Sequence, residues 1–476
     1  MENIKKFDFK KYLLTGLSVL LIAGYGGILF YKLGNNPVVD WDEGIYAQVA
    51  RQSFDTNSVA DLHYYASISP QNPNGFWFEK PPLMIWLTQI SYVIFGVTEF
   101  AVRFWNALFA LGVVILSYFF ALRLFKSQVV GLLAVATFYL AHFFISQSLY
   151  LKFDIPVTFF ILLSFLFFDL ALENKKFFLW FWVAIGLGVM TKSVIGLLPL
   201  PIVFLQALIT QNFTFLKQRN FYYGIGLFLL IVVPWHLIET VRHGSVFWQT
   251  YLGYHILSRY AHQLESNGAP FWYFVSQMKQ NLLFAGFSAL SAIYFLTRAI
   301  KNKTTEGFVF ISTAVIFIFL FFSLSRTKLP SYIVVVYPFL AIMIAKTIVD
   351  IFSYSKKNLI NVVGMVFVSA IFIISGVFYN ASKINNQGYY ARHYYENKAF
   401  MEFVSQNYPD LPILVNGRDI PAIMFYADKR IYNWSPATKI SPGSFIYVAM
   451  DNLVFPNAQL LSRGQTGNLY LVTIKN

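Results

Sequence analysis

The sequence predicts a polytopic α-helical membrane protein with a small C-terminal α/β domain. Of its 476 residues, 57% are apolar and 12% are charged, whereas soluble domains have about 45–50% apolar and about 25% charged residues. The apolar residues also come in blocks, and a membrane-spanning helix needs about 20 of them. These observations exclude disordered, collagen-like and nucleic-acid-binding proteins. Because cysteine is absent, disulfides, thiolate metal sites and cysteine nucleophiles are excluded as well.

Eleven apolar runs are predicted to span the membrane, within a domain for which we expect about 11–13 transmembrane helices. The first run follows a lysine-rich N-terminus and has no small-residue cleavage site, so it is predicted to be an uncleaved span. The run 83–97 is short for a crossing and better suits an interfacial helix. The predicted spans are 12–30, 104–122, 129–146, 155–172, 177–190, 194–209, 221–238, 282–297, 308–324, 331–348 and 359–379.

The distribution of Lys and Arg predicts the orientation. If 83–97 does not cross, one face carries sixteen basic residues in short loops, and the other carries eleven in longer loops. Because basic residues concentrate on the cytoplasmic side, we expect a cytoplasmic N-terminus in the inner (cytoplasmic) membrane. The loop 32–103 and the C-terminal tail are then periplasmic or extracellular. The net charge of +14 is a sign of this topology and does not indicate a nucleic-acid partner.

The tail has the composition of a soluble domain. We therefore divide the chain into a transmembrane domain, 1–380, and an extracytoplasmic α/β domain, 381–476. Within the tail, the periodicity predicts a helix at 390–408, strands at 412–415, 445–449 and 469–474, and a helical turn at 421–426.

The first outer loop carries three carboxylates within four residues, Asp40, Asp42 and Glu43. Their mutual repulsion must be offset by a metal ion, by a basic partner or by a raised pKa of one of them. The alternative is a solvated acidic turn that caps a helix starting near Gly44, where the helix dipole favours negative charge.

Two charged residues stand close to predicted membrane spans. Asp154 begins a span and is either a helix cap or a site acid, because a carboxylate so close to hydrocarbon is costly. Lys192 lies between two short spans and is either an anchor that reaches the interface or a phosphate ligand.

Two further outer loops carry cations and aromatic residues. His255, Arg259 and His262 are spaced so that a helix places all three on one face, as ligands or as surface residues. Lys328 and Tyr332 lie at a membrane edge, where such residues also serve as anchors. All the candidate residues fall on the predicted outer face, which favours an anionic lipid-linked substrate whose acceptor is activated by a base.

Several motifs in this order resemble the lipid A aminoarabinose transferases and protein O-mannosyltransferases of the GT-C glycosyltransferase superfamily. The resemblance extends over about residues 12–350, and the ordered set is more specific than any single motif. The motifs are Asp42-Glu43-Gly44-Ile45-Tyr46-Ala47, Phe78-Glu79-Lys80-Pro81-Pro82-Leu83 with Trp86, Phe95-Gly96, Glu99-Phe100-Ala101-Val102-Arg103, Met190-Thr191-Lys192, Val233-Pro234-Trp235, Pro270-Phe271-Trp272-Tyr273-Phe274 and Lys328-Leu329-Pro330-Ser331-Tyr332.

The resemblance implies a GT-C fold and a transfer of sugar from a polyprenyl-phosphate donor, with inversion at the anomeric carbon. It implies that Asp42 takes the proton from the acceptor hydroxyl, and the neighbouring Glu43 helps to raise the pKa of such a base. The donor phosphate is expected to bind Lys80, Lys192, Arg259, Lys328 and Tyr332.

The resemblance also implies a divalent metal ion at Glu79 and His255, with Asp154 as a further acid of the site. The expected partners are membrane lipid, the lipid-linked sugar and an envelope acceptor, which is lipid A, a glycan or a protein. The aminoarabinose transferases generally have Arg in place of Ile45 and an acid in place of Tyr254. We therefore assign neither aminoarabinose as the sugar nor lipid A as the acceptor.

Two other classes of protein remain as alternatives. A transporter or flippase of lipid-linked saccharides predicts charge at mid-membrane depth and broken helices with repeat symmetry. Asp169 is the nearest candidate, but it lies at the inner end of its span. A nonenzymatic assembly protein leaves the clustered carboxylates without a role.

Overall fold

A computed structural model of the chain describes residues 9–31, 33–39, 41–56, 58–64, 75–264, 267–278, 281–301, 305–353, 358–385, 389–416, 420–427, 431–433, 443–449, 458–465 and 467–474. These residues form two compact units. The first unit comprises Met1–Tyr31, Glu79–Leu83 and Asn106–Ser382. The second unit comprises Lys32–Phe78, Met84–Trp105 and Lys383–Asn476. The second unit thus contains most of the first outer loop as well as the C-terminal tail.

Helices dominate the structure. In chain order they are α1 (Phe9–Phe30), α2 (Trp41–Asp55), α3 (Leu83–Phe95), α4 (Glu99–Phe125), α5 (Gln128–Leu140), α6 (His142–Ser148), α7 (Asp154–Glu173), α8 (Phe177–Lys192), α9 (Pro199–Thr210), α10 (Arg219–Trp248), α11 (Arg259–Ala261), α12 (Tyr273–Gln277), α13 (Leu282–Ile300), α14 (Glu306–Leu324), α15 (Tyr337–Ser353), α16 (Asn358–Asn385), α17 (Tyr389–Asn407) and α18 (Ile420–Ala427). Short 3-10 helices occupy Ser193–Leu197, Thr214–Lys217 and Pro330–Val336, and a π-helix occupies Gln249–Ser258.

The predicted polytopic class is confirmed. In the part of the chain that the structure describes, nine helices are long and apolar enough to cross a membrane, and α5 with α6 makes a tenth if that bent pair is one span. The predicted span 194–209 corresponds to α9, which has 12 residues. At about 1.5 Å per residue this helix is shorter than the hydrocarbon core of about 30 Å. The helix α3, predicted not to cross, is likewise short, with 13 residues.

Two interruptions shape the helices of the first unit. The helices α5 and α6 meet at an angle of 74°, and Asn281 Nδ2 donates to the Leu140 carbonyl at this break (2.5 Å). In α10, Gly244 has φ 56° and ψ −130°, a conformation that only glycine adopts without strain. The chain then continues into the π-helix and α11, and Trp248 Nε1 donates back to Thr240 Oγ1 (3.1 Å).

The second unit contains a mixed five-stranded sheet. Its strands are β1 (Ile413–Asn416), β2 (Ile431–Asn433), β3 (Gly443–Ala449), β4 (Ala458–Arg463) and β5 (Asn468–Ile474), in the order β2-β1-β3-β5-β4. The strand β1 is parallel to β2 and β3, whereas β5 is antiparallel to β3 and β4. The core of the sheet consists of Leu414, Phe445, Tyr447, Tyr470 and Val472.

The elements predicted in the tail are all present, and the structure adds two strands. The strand β2 has only three residues, too few for a period-two pattern to stand out. The strand β4 is at the edge of the sheet and has a mixed pattern of exposure, because edge strands do not need an alternating apolar face.

Candidate active site

The helix α2 carries the carboxylates of the first outer loop. Asp42 and Glu43 both lie in its first turn, where the helix dipole stabilises negative charge. Their environments differ, since Asp42 is half-buried and Glu43 is fully buried. Asp40 lies outside the described residues. Asp42 is therefore the accessible carboxylate of this turn.

Glu43 forms a buried ion pair with Arg103 from α4. Arg103 Nε donates to Glu43 Oε1 (2.8 Å) and Arg103 Nη2 donates to Oε2 (2.9 Å), and the two side chains are 1% and 0% exposed. The remaining donors of Arg103 bind the carbonyls of Leu33, Asn36 and Pro37 at 2.7–3.1 Å. A planar guanidinium suits this arrangement, because its N–H groups diverge in one plane.

This ion pair changes the role expected for Glu43. The sequence prediction was that Glu43 acts on Asp42 as a second carboxylate, whereas Arg103 compensates the charge of Glu43 directly. Repulsion in the acidic turn is thus offset by a basic partner. The signal in the sequence was an arginine that directly precedes the apolar run 104–122, at a position that we quoted only as part of a motif.

In the first unit, Asp154 pairs with Lys192. Lys192 Nζ lies 2.5 Å from Asp154 Oδ1 and 5.0 Å from the centroid of the Tyr332 ring. The next residue, Ser193, has φ 49° and ψ −132°, which is strained for a residue with a Cβ. Asp154 lies in the first turn of α7, whose N-cap residue is Phe153 and has no side-chain cap hydrogen bond. The structure thus brings three of the predicted site residues together, and the role of Asp154 as a site acid stays a prediction.

The loop that contains Arg259 pairs with the loop that contains Lys328. Thr327 N donates to the Arg259 carbonyl (3.1 Å), and Lys328 N donates to the Asn267 carbonyl (2.9 Å). The buried hydroxyl of Thr327 donates to the His262 carbonyl (2.8 Å). This pairing places Arg259 beside Thr327, the neighbour of Lys328, although the two positions are about 70 residues apart in the sequence.

Lys328 is a buried cation held by carbonyl groups. It is 5% exposed, and its Nζ donates to the carbonyls of Ser325 (2.5 Å) and Ala269 (3.1 Å). No carboxylate of the described residues lies within 4 Å of this ammonium. Burial, reinforced by the charge of Arg326, lowers the pKa of Lys328 below its ordinary value of 10.5. A buried ammonium without a counter-ion is suited to receive an anion.

His255 does not share a helix face with both of the other predicted residues. It lies in the π-helix, Arg259 begins α11, and the helix ends before His262, which has an extended backbone with φ −127° and ψ 157°. The positive charges of Lys80 and Arg259 act electrostatically on His255. The predicted set of three is thus reduced to His255 and Arg259, and Lys80 joins them.

The residues predicted to hold a metal ion supply an incomplete donor set. His255 Nδ1 is buried and has no hydrogen-bond partner among the described residues. However, Glu79 and His255 belong to no group of three described ligands within reach of one ion, and two cations act on the histidine. Zinc takes about four ligands and calcium about six to eight. Glu79 and His255 therefore do not fit a resident metal ion on their own.

Comparisons with known proteins identify relatives. Residues 20–248 match the family model described as dolichyl-phosphate-mannose-protein mannosyltransferase. An uncharacterized protein of Aquifex aeolicus is 29% identical over 71% of this chain and 63% of its own length. The undecaprenyl phosphate-alpha-4-amino-4-deoxy-L-arabinose arabinosyl transferase 1 of Pseudomonas fluorescens is 27% identical over 72% of this chain and 61% of its own length. The chain thus matches less than two thirds of the length of these relatives.

A solved structure with a similar fold is ArnT from Cupriavidus metallidurans bound to undecaprenyl phosphate. It superposes with a TM-score of 0.77 and 18% sequence identity, over 96% of this chain and 98% of that one. The resemblance to the aminoarabinose transferases and protein mannosyltransferases is therefore confirmed. The predicted fold class, a helical membrane domain with a small C-terminal α/β domain, is confirmed by this likeness and by the helices and sheet of the chain.

The ion pair between Arg103 and Glu43 leads to a prediction about the stability of the protein. Arg103→Lys keeps the charge but cannot form both bonds to Glu43 and all three to carbonyls, so buried polar groups lose partners. A buried polar group left without a partner costs about 1–3 kcal/mol, so we expect a loss of about this size in the free energy of unfolding. Thermal unfolding in detergent measures the effect. Arg219→Lys, at an exposed arginine, is the matched control, and equal melting temperatures for the two variants contradict the prediction.

Proposed function

We propose that this chain is a membrane glycosyltransferase that moves a sugar from a polyprenyl-phosphate donor to a hydroxyl of an envelope acceptor. The acceptor is a lipid, a glycan or a protein. The reaction takes place at the outer face of the cytoplasmic membrane and inverts the anomeric carbon. The proposal is supported by the transferases to which the chain is similar and by the grouping of cations in the first unit.

The proposed reaction is a single displacement. Asp42 accepts the proton of the acceptor hydroxyl while its oxygen attacks the anomeric carbon of the sugar. The bond from that carbon to the phosphate oxygen breaks, and its electron pair leaves with the polyprenyl phosphate. The entering oxygen approaches opposite the leaving oxygen, so the configuration inverts. The products are the glycosylated acceptor and the lipid phosphate, with the proton on Asp42.

The observation that carries the proposal is the buried ammonium of Lys328, whose described partners are carbonyls alone. A lipid phosphate offers the negative charge that this ammonium lacks, and the contact gains strength where water is excluded. We assign the same role to Arg259, whose loop is paired with that of Lys328, and to Lys80. Lys192 and Tyr332 complete the proposed phosphate site.

The carboxylates Asp154 and Glu43 have supporting roles in this proposal. Asp154 holds Lys192 at 2.5 Å and so keeps the ammonium in place before the donor arrives. Glu43 is paired with Arg103 and therefore stabilises the first turn of α2, which carries Asp42. Both are acids of the site that do not exchange protons with the substrate.

A divalent ion at Glu79 and His255 stays a prediction of the resemblance. The proposed reaction does not depend on it, because the cationic side chains already supply positive charge.

The alternative of a flippase receives no support from its nearest candidate residue. Asp169 pairs with Arg123 at 2.6 Å, and Glu173 pairs with the same guanidinium at 2.9 Å. This cluster joins the ends of α4 and α7, so the charge of Asp169 has a structural explanation.

Asp42→Asn tests the base. The amide keeps the size of the side chain but cannot take up a proton, so we expect turnover to fall by about 10²–10⁴-fold. Binding of the lipid-linked donor is expected to change less than twofold, because Asp42 has no role in phosphate binding. Release of radiolabelled polyprenyl phosphate measures turnover in detergent. Asp55→Asn, at an exposed acid of the same helix, is the control, and an active Asp42→Asn enzyme contradicts the assignment.

The lowered pKa of Lys328 leads to a prediction for kcat/KM at alkaline pH. As the pH rises through the lowered pKa of Lys328, its ammonium loses its charge. We therefore expect kcat/KM for the donor to fall with rising pH, with a midpoint below pH 10.5. Arginine keeps its charge up to about pH 12, and Lys328→Arg should therefore move this decline to higher pH even if the maximal rate is lower. Lys217→Arg, at an exposed lysine, should not. An unchanged alkaline limb in Lys328→Arg contradicts the role of this ammonium.

The proposed orientation can be tested with single cysteines, because the chain has none of its own. Ser405 is an exposed residue of α17, and Ser405→Cys is expected to react with a membrane-impermeant maleimide in spheroplasts. Asn174→Cys, in the exposed turn between α7 and α8, should react only after permeabilisation. The opposite labelling pattern contradicts the orientation.

A further inference from the structure

Helices of the C-terminal tail pack on the first outer loop within the second unit. A Cβ built on Gly44 of α2 would lie 2.7 Å from Pro421 Cβ and 2.9 Å from the Ala422 nitrogen of α18. Only a glycine permits so close an approach of two helices. Arg51, also on α2, donates from Nη1 to the Phe425 carbonyl of α18. The helix that carries Asp42 is thus in direct contact with α18.

Tyr426 of α18 joins two parts of this loop. Its hydroxyl accepts a hydrogen bond from Val38 N (2.6 Å) and donates to Glu99 Oε1 (3.0 Å). Lys398 of α17 pairs with the same carboxylate oxygen (2.6 Å). Burial and the charge of Glu99 raise the pKa of Tyr426 above its usual value, so the hydroxyl stays protonated and keeps donating to Glu99.

The segment that leads into α2 is held from two sides. From the loop itself, Arg103 binds the carbonyls of residues 33, 36 and 37, and Glu43 Oε2 accepts from Val39 N (2.8 Å). From the tail, Tyr395 donates to Asn36 Oδ1 (2.8 Å), and Tyr426 holds the amide of Val38. Irregular backbone needs such partners to keep one conformation.

We propose that Tyr426 is a positioning residue for Asp42. Through its hydrogen bonds to Val38 and Glu99, Tyr426 fixes the segment before α2. This segment in turn sets the orientation of Asp42. Val38 precedes Asp42 by four residues, within one short stretch of chain. The catalytic part of this inference rests on the proposed transfer reaction. A displacement of about 1 Å at a reacting group costs up to about 10²-fold in rate.

This inference gives the C-terminal domain a part in the reaction without contact with substrate. The tail supplies the partners of the segment before α2, whereas the carboxylate itself comes from the first outer loop. Removal of the Tyr426 hydroxyl leaves the aromatic ring in place, and Glu99 keeps its ion pair with Lys398. The change therefore addresses the hydrogen bonds and not the packing of α18.

The test compares Tyr426→Phe with Tyr470→Phe in the full-length protein. Tyr470 is a buried tyrosine in the core of the five-stranded sheet of the same unit and is the matched control. Hydrogen exchange of the peptides that cover Val38 to Val49 reports on the segment without any substrate. Turnover and KM with a radiolabelled polyprenyl-phosphate sugar report on the reaction.

For Tyr426→Phe we expect about tenfold faster exchange of the Val38 and Val39 amides, since one buried amide loses its partner. We expect kcat to fall about tenfold with KM for the donor within about twofold, because the phosphate ligands are untouched. Tyr470→Phe should change neither the exchange of this segment nor kcat. A purely structural role of Tyr426 would lower the melting temperature without this split between kcat and KM.

The outcomes separate this inference from the proposed function. Unchanged exchange in Tyr426→Phe overturns the positioning role, whatever the activity. Faster exchange with an unchanged kcat overturns its catalytic part. Faster exchange in a protein whose wild type cleaves no lipid-linked sugar overturns the proposed function and, with it, the catalytic part, while the structural part stands. Gly44→Ala, which pushes α18 away from α2, is expected to reproduce the faster exchange, and normal exchange there contradicts the role of α18.

Discussion

The first outer loop depends on the buried ion pair of Arg103 and Glu43. Burying two charges costs several kcal/mol each unless their hydrogen bonds are complete, and here the guanidinium binds both carboxylate oxygens and three carbonyls. The same residues that satisfy the pair also shape the chain before α2. The position of Asp42 is therefore a consequence of an electrostatic requirement inside the loop, to which the tail adds Tyr426.

The two lysines of the first unit illustrate different electrostatic environments. Lys192 has a carboxylate partner in Asp154, so its charge is compensated before any substrate binds. Lys328 is buried among carbonyls, which stabilise an ammonium less than an opposite charge does. An anion bound beside both gains most from Lys328. In the proposed function, a phosphate supplies the opposite charge that the described partners of Lys328 lack.

The sequence predicted the helical membrane class and the elements of the tail, whereas the roles of the candidate site residues stay predictions. Hydropathy blocks carry this information directly, because a span and a buried strand are local patterns. The pairing of Glu43 with Arg103 and the link from Tyr426 to Val38 and Glu99 were not predicted, since they join residues 60 to 388 positions apart. The prediction that His255 and His262 share a helix face was wrong, because the π-helix and the early helix end alter the regular spacing.

The stereochemistry of turnover tests the central claim most directly. A polyprenyl-phosphate sugar labelled with carbon-13 at the anomeric position can be followed by NMR in the presence of the purified protein and envelope acceptors. A single displacement by an activated hydroxyl predicts one polyprenyl phosphate released per sugar transferred, with the labelled carbon in the inverted configuration. Retention of configuration, or recovery of intact donor with no sugar transferred, would contradict this account.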